Sequence, residues 1–213
     1  MLRVTEIFKS IQGESSHAGR PCTFVRLTGC PMRCVWCDSE YTFTGGESMS
    51  LESVLEQVKN FGCRLVEVTG GDPLAQKEAL TLIEQLCDQD YEVLIETGGF
   101  YSTEGVDPRA KIILDVKCPD SGEVERNHWP NLDRVRPGAD EVKFVVASRE
   151  DWEYTQKVIE KYKLADRVEI LISPVWGRID LKDLAEWVSA SCLPVRMQLQ
   201  LHKYIWGPEA RGV

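Results

Sequence analysis

The sequence predicts an α/β protein on a parallel sheet, and three observations carry that prediction. Short apolar, β-branched runs alternate with segments of helical period along the whole chain, as in βαβ units. The glycines and polar residues able to do chemistry come just after those runs, where in a parallel sheet or barrel all strand ends share the ligand-binding face. At 213 residues the chain is long enough for one sizeable core, so a single domain over 1–213 is expected.

Taken in order, strands are expected near 3–8, 23–28, 64–69, 92–96, 111–116, 141–146, 167–172 and 195–200. Between them, Leu51, Val54 and Val58 form one apolar stripe in a helix over 51–60, and Leu80, Ile83 and Leu86 another within 74–88. Ser148 with Asp151 reads as a capping pair opening a helix through Trp152, Thr155, Val158 and Tyr162. Asp180 caps a further one carrying Leu181, Leu184 and Val188. The stretch 118–140, rich in Pro, Gly, Asn and Asp, reads mostly as loop.

No apolar run approaches the roughly 18 to 20 residues that span a bilayer, and the first residues lack the apolar core of a signal peptide, so a cytoplasmic protein without membrane contact is expected. A net charge of −9 argues against a nucleic-acid footprint and for a small-molecule ligand. Of eight cysteines, Cys22, Cys63, Cys87, Cys118 and Cys192 are scattered and read as buried packing thiols in a reducing compartment.

The other three, Cys30, Cys34 and Cys37, are packed into the stretch GCPMRCVWCDSEY. A structural zinc wants four ligands, and none of His17, His128 and His202 is spaced as a second half-site. On spacing alone, a catalytic zinc with three thiolates and a water stays open, as do three unliganded thiols prone to oxidation. A 4Fe–4S cubane normally takes one thiolate per iron, so three leave one iron free for a substrate or cofactor.

The Cys-x3-Cys-x2-Cys spacing, with Trp36 before the third cysteine, resembles the signature of the radical S-adenosylmethionine superfamily. The runs Ile11-Gln12-Gly13-Glu14, Ala18-Gly19-Arg20-Pro21, Phe24 to Cys30, and Trp36-Cys37-Asp38-Ser39 narrow the resemblance to the 7-carboxy-7-deazaguanine synthase family. Thr69 to Leu74, Glu96-Thr97-Gly98, Asp115-Val116-Lys117 and Leu199 to Lys203 extend it over nearly the whole chain. It implies a partial (βα) barrel with a mostly parallel curved sheet, and conversion of 6-carboxy-5,6,7,8-tetrahydropterin to 7-carboxy-7-deazaguanine and ammonia. It further implies a 4Fe–4S cluster, S-adenosylmethionine and Mg2+ as cofactors, a homodimer, and an electron donor such as flavodoxin. In that family the reduced cluster cleaves S-adenosylmethionine to a 5'-deoxyadenosyl radical.

By the same resemblance Cys30, Cys34 and Cys37 hold the cluster and the Ser39 hydroxyl holds Mg2+. Trp36, Cys37, Asp38, Gly71, Asp72, Asp115, Val116, Lys117, Ser173, Pro174, Val175 and Trp176 line the S-adenosylmethionine site. Ile11, Gln12, Gly13, Glu14, Arg26, Thr69, Glu96 and His202 bind the pterin. Physically, Gly70 and Gly71 let backbone approach a ligand, Asp72 can pair with an ammonium, and Arg26 can fork onto a carboxylate. Apart from the family, Gly70 to Pro73 is a strand-to-helix turn capped by Asp72, Arg26 an outward strand residue, His202 a satisfied surface histidine and Lys117 one half of an ion pair.

Three positions depart from the family pattern: Ser39 stands for Thr, Asp72 for Glu, and Gly98-Gly99 for Asn-Gly. In some relatives the terminal carboxylate approaches the substrate; here the chain continues past Lys203 as YIWGPEARGV, and that length argues against contact by Pro208 or Val213. The competing readings are a glycyl-radical-enzyme activase, which the Ile-Gln-Gly-Glu run disfavours, and a non-catalytic iron–sulfur or zinc module.

Overall fold

A computed structural model describes all residues, Met1–Val213. Nine strands form one open sheet: β1 (Leu2–Ile11), β2 (Pro21–Leu27), β3 (Glu47–Met49), β4 (Leu65–Gly70), β5 (Glu92–Thr97), β6 (Lys111–Val116), β7 (Glu141–Val146), β8 (Glu169–Pro174) and β9 (Arg196–Met197). Their order is β3-β1-β2-β4-β5-β6-β7-β8-β9, so the sheet has two edges and does not close. From β2 onward the neighbours run parallel, as expected. β1 does not: it pairs antiparallel with both β2 and β3. The connection 12–20 is shorter than the dozen or so residues a parallel crossover needs.

Four long helices cover one face: α1 (Leu51–Phe61), α2 (Glu78–Asp88), α4 (Arg149–Lys161) and α5 (Leu181–Ser191); α3 (Pro130–Arg134) and α6 (Leu201–Ile205) are short. Their starts follow local chemistry. Ser50 and Ser148 accept from the amides of Ser53 and Asp151, and Asp180 from that of Lys182. The Asp151 carboxylate reaches the amides of Ala147 and Asp120, so it braces the preceding loop instead of closing a reciprocal box.

Alternation along each strand divides the core. Val93 and Ile95, Ile112 and Leu114, Val142 and Phe144, and Ile170 and Ile172 face the helices, where Leu82, Ile83, Leu86, Trp152, Val158 and Leu184 complete a buried cluster. Each such large side chain contributes roughly 1.5 to 3 kcal/mol by leaving water. The other face carries a smaller cluster, with Phe8, Cys22, Phe24, Leu65, Leu94, Ile113 and Leu171. Above and below it the same strands carry charge.

Four expectations change. Helix α2 starts at Glu78, because Asp72 caps a single 3-10 turn over Pro73–Ala75 and Gln76 is extended, its side chain tied to Arg3 and Thr28. The last strand shrinks to Arg196–Met197, since the chain then leaves the sheet and the Leu201 amide bonds Gly13 O at 3.0 Å. β3 escaped notice because three residues at a sheet edge show no apolar alternation. Cys192 is exposed and in the left-handed conformation (φ 54°), a helix C-cap and not a packing thiol; the other four scattered cysteines are buried.

Candidate active site

The carboxyl ends of the parallel strands surround one cavity of about 270 Å3, near the lower size of ligand pockets. Its wall on one side is the loop after β2. Gly29, at φ 102°, turns that loop, which is pinned by its own amide to Thr42 O at 2.7 Å and by the Asp72 amide to Gly29 O at 2.8 Å. Glu123 accepts from the Arg33 amide and Arg126 donates to Pro31 O, so the segment 118–126 braces the loop from behind.

Cys30, Cys34 and Cys37 are free, half-buried and all on the cavity wall. Burial pushes the Cys34 thiol up to about 11 and Cys30 above its ordinary value, so metal must displace protons on binding. No three Cys, His, Asp or Glu side chains converge to hold a single metal ion. A cubane asks each thiolate to meet a different iron, whereas a single zinc needs its ligands to converge on one point.

The glycines after β4 answer to packing. A Cβ at Gly70 would strike Leu27 O at 2.1 Å, and one at Gly71 would meet Gly29 O at 2.4 Å and the Cβ of Cys30 at 2.9 Å. They let the cysteine loop lie against β4, and both also line the cavity, where backbone can approach a ligand as expected. Gly98 does the same for Met32, whose Cε would lie 2.3 Å from an added Cβ.

Asp72 is fully buried and outside the cavity lining, where it accepts from the Thr97 hydroxyl at 3.0 Å and the Leu74 amide at 3.0 Å. Burial raises its pKa to about 6. Ser173 and Pro174 are also off the lining, Ser173 accepting from Gln198; Val175 and Trp176 are on it. Asp115 gives one oxygen to Lys117 Nζ at 2.9 Å while Oδ1 is buried without a partner, an acceptor suited to a ligand's donor. Lys117 is thus an ion pair and a cavity wall at once. Asp38 pairs with Lys203 Nζ at 2.6 Å; burial opposes its ionisation, but that ammonium outweighs it and lowers the pKa to about 2. The Ser39 hydroxyl donates to Asp38 at 3.3 Å.

Every other expected residue lines the same cavity: Ile11, Gln12, Gly13, Glu14, Arg26, Trp36, Thr69, Glu96, Val116 and His202. Arg26 is no outward strand residue: Glu6 takes its Nε at 2.8 Å, which leaves the terminal nitrogens for a ligand. His202 packs against Gly13, where a Cβ would lie 2.6 Å from its Nδ1. Gln12 is buried, with Nε2 given to Glu67 and Oε1 accepting from the Glu14 amide at 2.6 Å, so much of its amide serves the loop.

Ile11 to Glu14 arrive by an unexpected route. Because β1 is antiparallel, its end lies at the far end of the sheet, and the loop after it folds up into the interior to reach the cavity. Pro208 and Ala210 to Val213 also line the cavity, against expectation: α6 folds the ending back, and Arg211 stacks over Tyr41 at 4.2 Å. Lys143, Glu67 and Gln200 were missed as functional residues. A charged residue inside the apolar runs EVKFVV and LVEVTG was the available signal, since a strand rarely buries one without a partner.

Comparison with known proteins agrees with this geometry. Residues 24–188 match the model of the Radical SAM superfamily. A 7-carboxy-7-deazaguanine synthase of Chlorobaculum tepidum is 46% identical over all of this chain and 97% of its own length. One from Koribacter versatilis is 43% identical with full coverage of both. Among solved structures, QueE from Escherichia coli superposes with a TM-score of 0.77 over 92% of this chain and 93% of that one, at 24% identity, which shows a shared fold.

Proposed function

We infer the function from one premise: this chain belongs to the 7-carboxy-7-deazaguanine synthase family of the radical S-adenosylmethionine enzymes. We propose that its whole length, 1–213, is one such domain and that it converts 6-carboxy-5,6,7,8-tetrahydropterin to 7-carboxy-7-deazaguanine with loss of ammonia. The observation that carries this reading is the sharing of one cavity by the three thiols of a single loop, Cys30, Cys34 and Cys37, and by a set of carboxylates, amides and an arginine fit for a polar heterocycle; Cys118 also borders the cavity, but it is buried and its thiol pairs with the Thr155 hydroxyl.

When bound, the reduced cluster and S-adenosylmethionine supply a 5'-deoxyadenosyl radical at this cavity. Cys30, Cys34 and Cys37 would hold the cluster, and the unpartnered Asp115 Oδ1 supports a donor-bearing cofactor beside them. Trp36, Val116, Lys117, Val175 and Trp176 wall that side; Asp72, Ser173 and Pro174 support the wall from behind. Arg26 forks onto the substrate carboxylate, and Glu14, Glu96, Thr69 and His202 bind the ring. Ser39, with Asp38 beside it, offers oxygen ligands for Mg2+, which takes few protein ligands and completes its shell with water and substrate. The chain segment past Gly207 closes the cavity and excludes water from the reacting atoms.

All eight cysteines are free, which supports a reducing cytoplasm, and no helix is long and apolar enough to cross a membrane. A homodimer served by a flavodoxin-like donor completes the proposal, with no nucleic-acid partner. A cavity of about 270 Å3 lined by carboxylates, amides and an arginine favours a pterin over the protein partner of an activase. The test is anaerobic reconstitution with carboxytetrahydropterin, S-adenosylmethionine and reductant, with Mg2+ varied and product followed by mass spectrometry. Deazaguanine whose yield rises with Mg2+ is expected; its absence under every condition overturns the reading.

A further inference from the structure

Lys143 has no part in the roles above, yet the charge of the cavity floor is arranged around it. It is 4% exposed on β7, where an unpaired ammonium would be strongly disfavoured. Its Nζ donates to Glu14 Oε2 at 3.0 Å and to Glu96 Oε1. Gln200 Nε2 takes the other Glu14 oxygen at 2.9 Å, whereas the second oxygen of Glu96 has no protein partner and is not sealed from the cavity. Burial opposes the charge on Lys143, but Glu14 and Glu96 outweigh it and hold its pKa well above the ordinary value.

Glu67 on β4 sits behind this group without a cation of its own. Burial, with the charges of Glu96 and Glu14, pushes its carboxyl well above the usual range, and it accepts from Gln12. Burial pushes Glu96 up as well, against the pull of Lys143. The floor is an oriented acceptor in which one ammonium meets two carboxyl groups and one oxygen is open.

We propose that Lys143 is the positioning residue of the substrate site: it clamps Glu14 and Glu96 into one geometry and leaves the free Glu96 oxygen to accept the N–H donors of a 2-amino-4-oxopyrimidine ring. The inference rests on the reading that Glu14 and Glu96 contact the pterin. Besides Lys143, the charged and titratable groups facing the two carboxylates are Glu67, Asp115 and His202. Removing the ammonium leaves both carboxylates holding protons to higher pH, and a protonated acid offers a ring N–H a poorer acceptor.

The test measures binding of 6-carboxypterin, by its fluorescence, to the reconstituted holoenzyme between pH 5.5 and 8.5, together with KM and kcat for the substrate. Lys143→Met, with iron content at the wild-type level, should raise the dissociation constant at least tenfold at pH 7 and raise KM more than it lowers kcat. The acidic limb of binding should move to higher pH. Lys143→Arg should keep that limb in place while weakening binding at least threefold, since its fork cannot set one donor on both carboxylates. If Lys143→Met does not fold, Lys143→Arg carries the test alone. Unchanged binding and an unmoved limb in Lys143→Met, or wild-type affinity in Lys143→Arg, overturn the role of Lys143. A wild-type protein that neither binds 6-carboxypterin nor makes deazaguanine overturns the functional reading beneath it.

Discussion

The inner face of the sheet carries two charged layers separated by apolar side chains, and they were built to different ends. At the amino ends of the strands, Lys111 pairs with the fully buried Glu141 at 2.9 Å, Ser16 adds its amide and hydroxyl to that carboxylate, and Arg20 and His17 meet Glu92. At the carboxyl ends, two residues along the same β7, Lys143 meets Glu14 and Glu96. Leu94 and Ile113 lie between the two layers along β5 and β6, whereas on β7 Glu141 and Lys143 are successive residues of the face. The lower layer is completed by protein and covered by the loop 12–20. The upper one keeps an open Glu96 oxygen, a Glu67 without a cation of its own and an unpartnered Asp115 oxygen. A polar layer that finishes its own hydrogen bonds holds a fold together, and one left unfinished waits for a ligand.

The sharpest way to break that contrast is at the rim. Cys34→Ala should remove the iron–sulfur cluster and all turnover while the urea midpoint of the metal-free protein stays within error; an intact cluster with full activity would end the ligand assignment. Next comes the lower layer. Lys111→Met strands a buried Glu141 and should cost about 2 kcal/mol in urea unfolding, somewhat below a fully buried pair because Lys111 is partly exposed, with kcat/KM within twofold. A tenfold loss of kcat/KM at unchanged stability would show that the two layers are not separable.

Glu67→Gln is a finer probe. If the acid is neutral, an amide of the same shape can still accept from Gln12, and both stability and KM should stay within threefold. A large loss would mean that Glu67 works ionised. The smallest effect concerns Asp72, whose pKa rises from 3.8 unfolded to about 6 folded. Between those values the folded state holds the proton and the unfolded state does not, so wild-type stability should fall as pH rises from about 4 to 6. Asp72→Asn makes that slope shallower, the raised carboxyls of Glu67 and Glu96 keeping their own share; a difference between the two proteins that stays constant across the window speaks against the raised value.

Much of this was legible in the sequence because it rested on local pattern. Helices α1, α4 and α5 start where a Ser or Asp side chain can meet a free amide, and the strand cores follow their β-branched runs. The three-thiol loop needs no tertiary information to be noticed. What was not legible depends on encounters between distant segments. The antiparallel start of the sheet hid in the length of a loop, and the close packing of Gly71 against the carbonyl of Gly29 has no local sign. The run EVKFVV marks Lys143 as unusual, but its partner Glu14, 129 residues away, is supplied only by the fold. Asp72 could not be placed from its motif alone: it lies buried behind the cavity wall, where it accepts from the Thr97 hydroxyl and the Leu74 amide.

The ending also teaches something about how such a chamber can change. Its last wall is not a strand or a buried helix but the stretch after Gly207, whose Arg211 rests on the Tyr41 ring. Adding, trimming or recolouring a few residues there would resize the chamber without disturbing the sheet or the thiol loop. The same placement makes the chamber sensitive to this segment, and a purification tag fused after Val213 would alter the cavity wall itself.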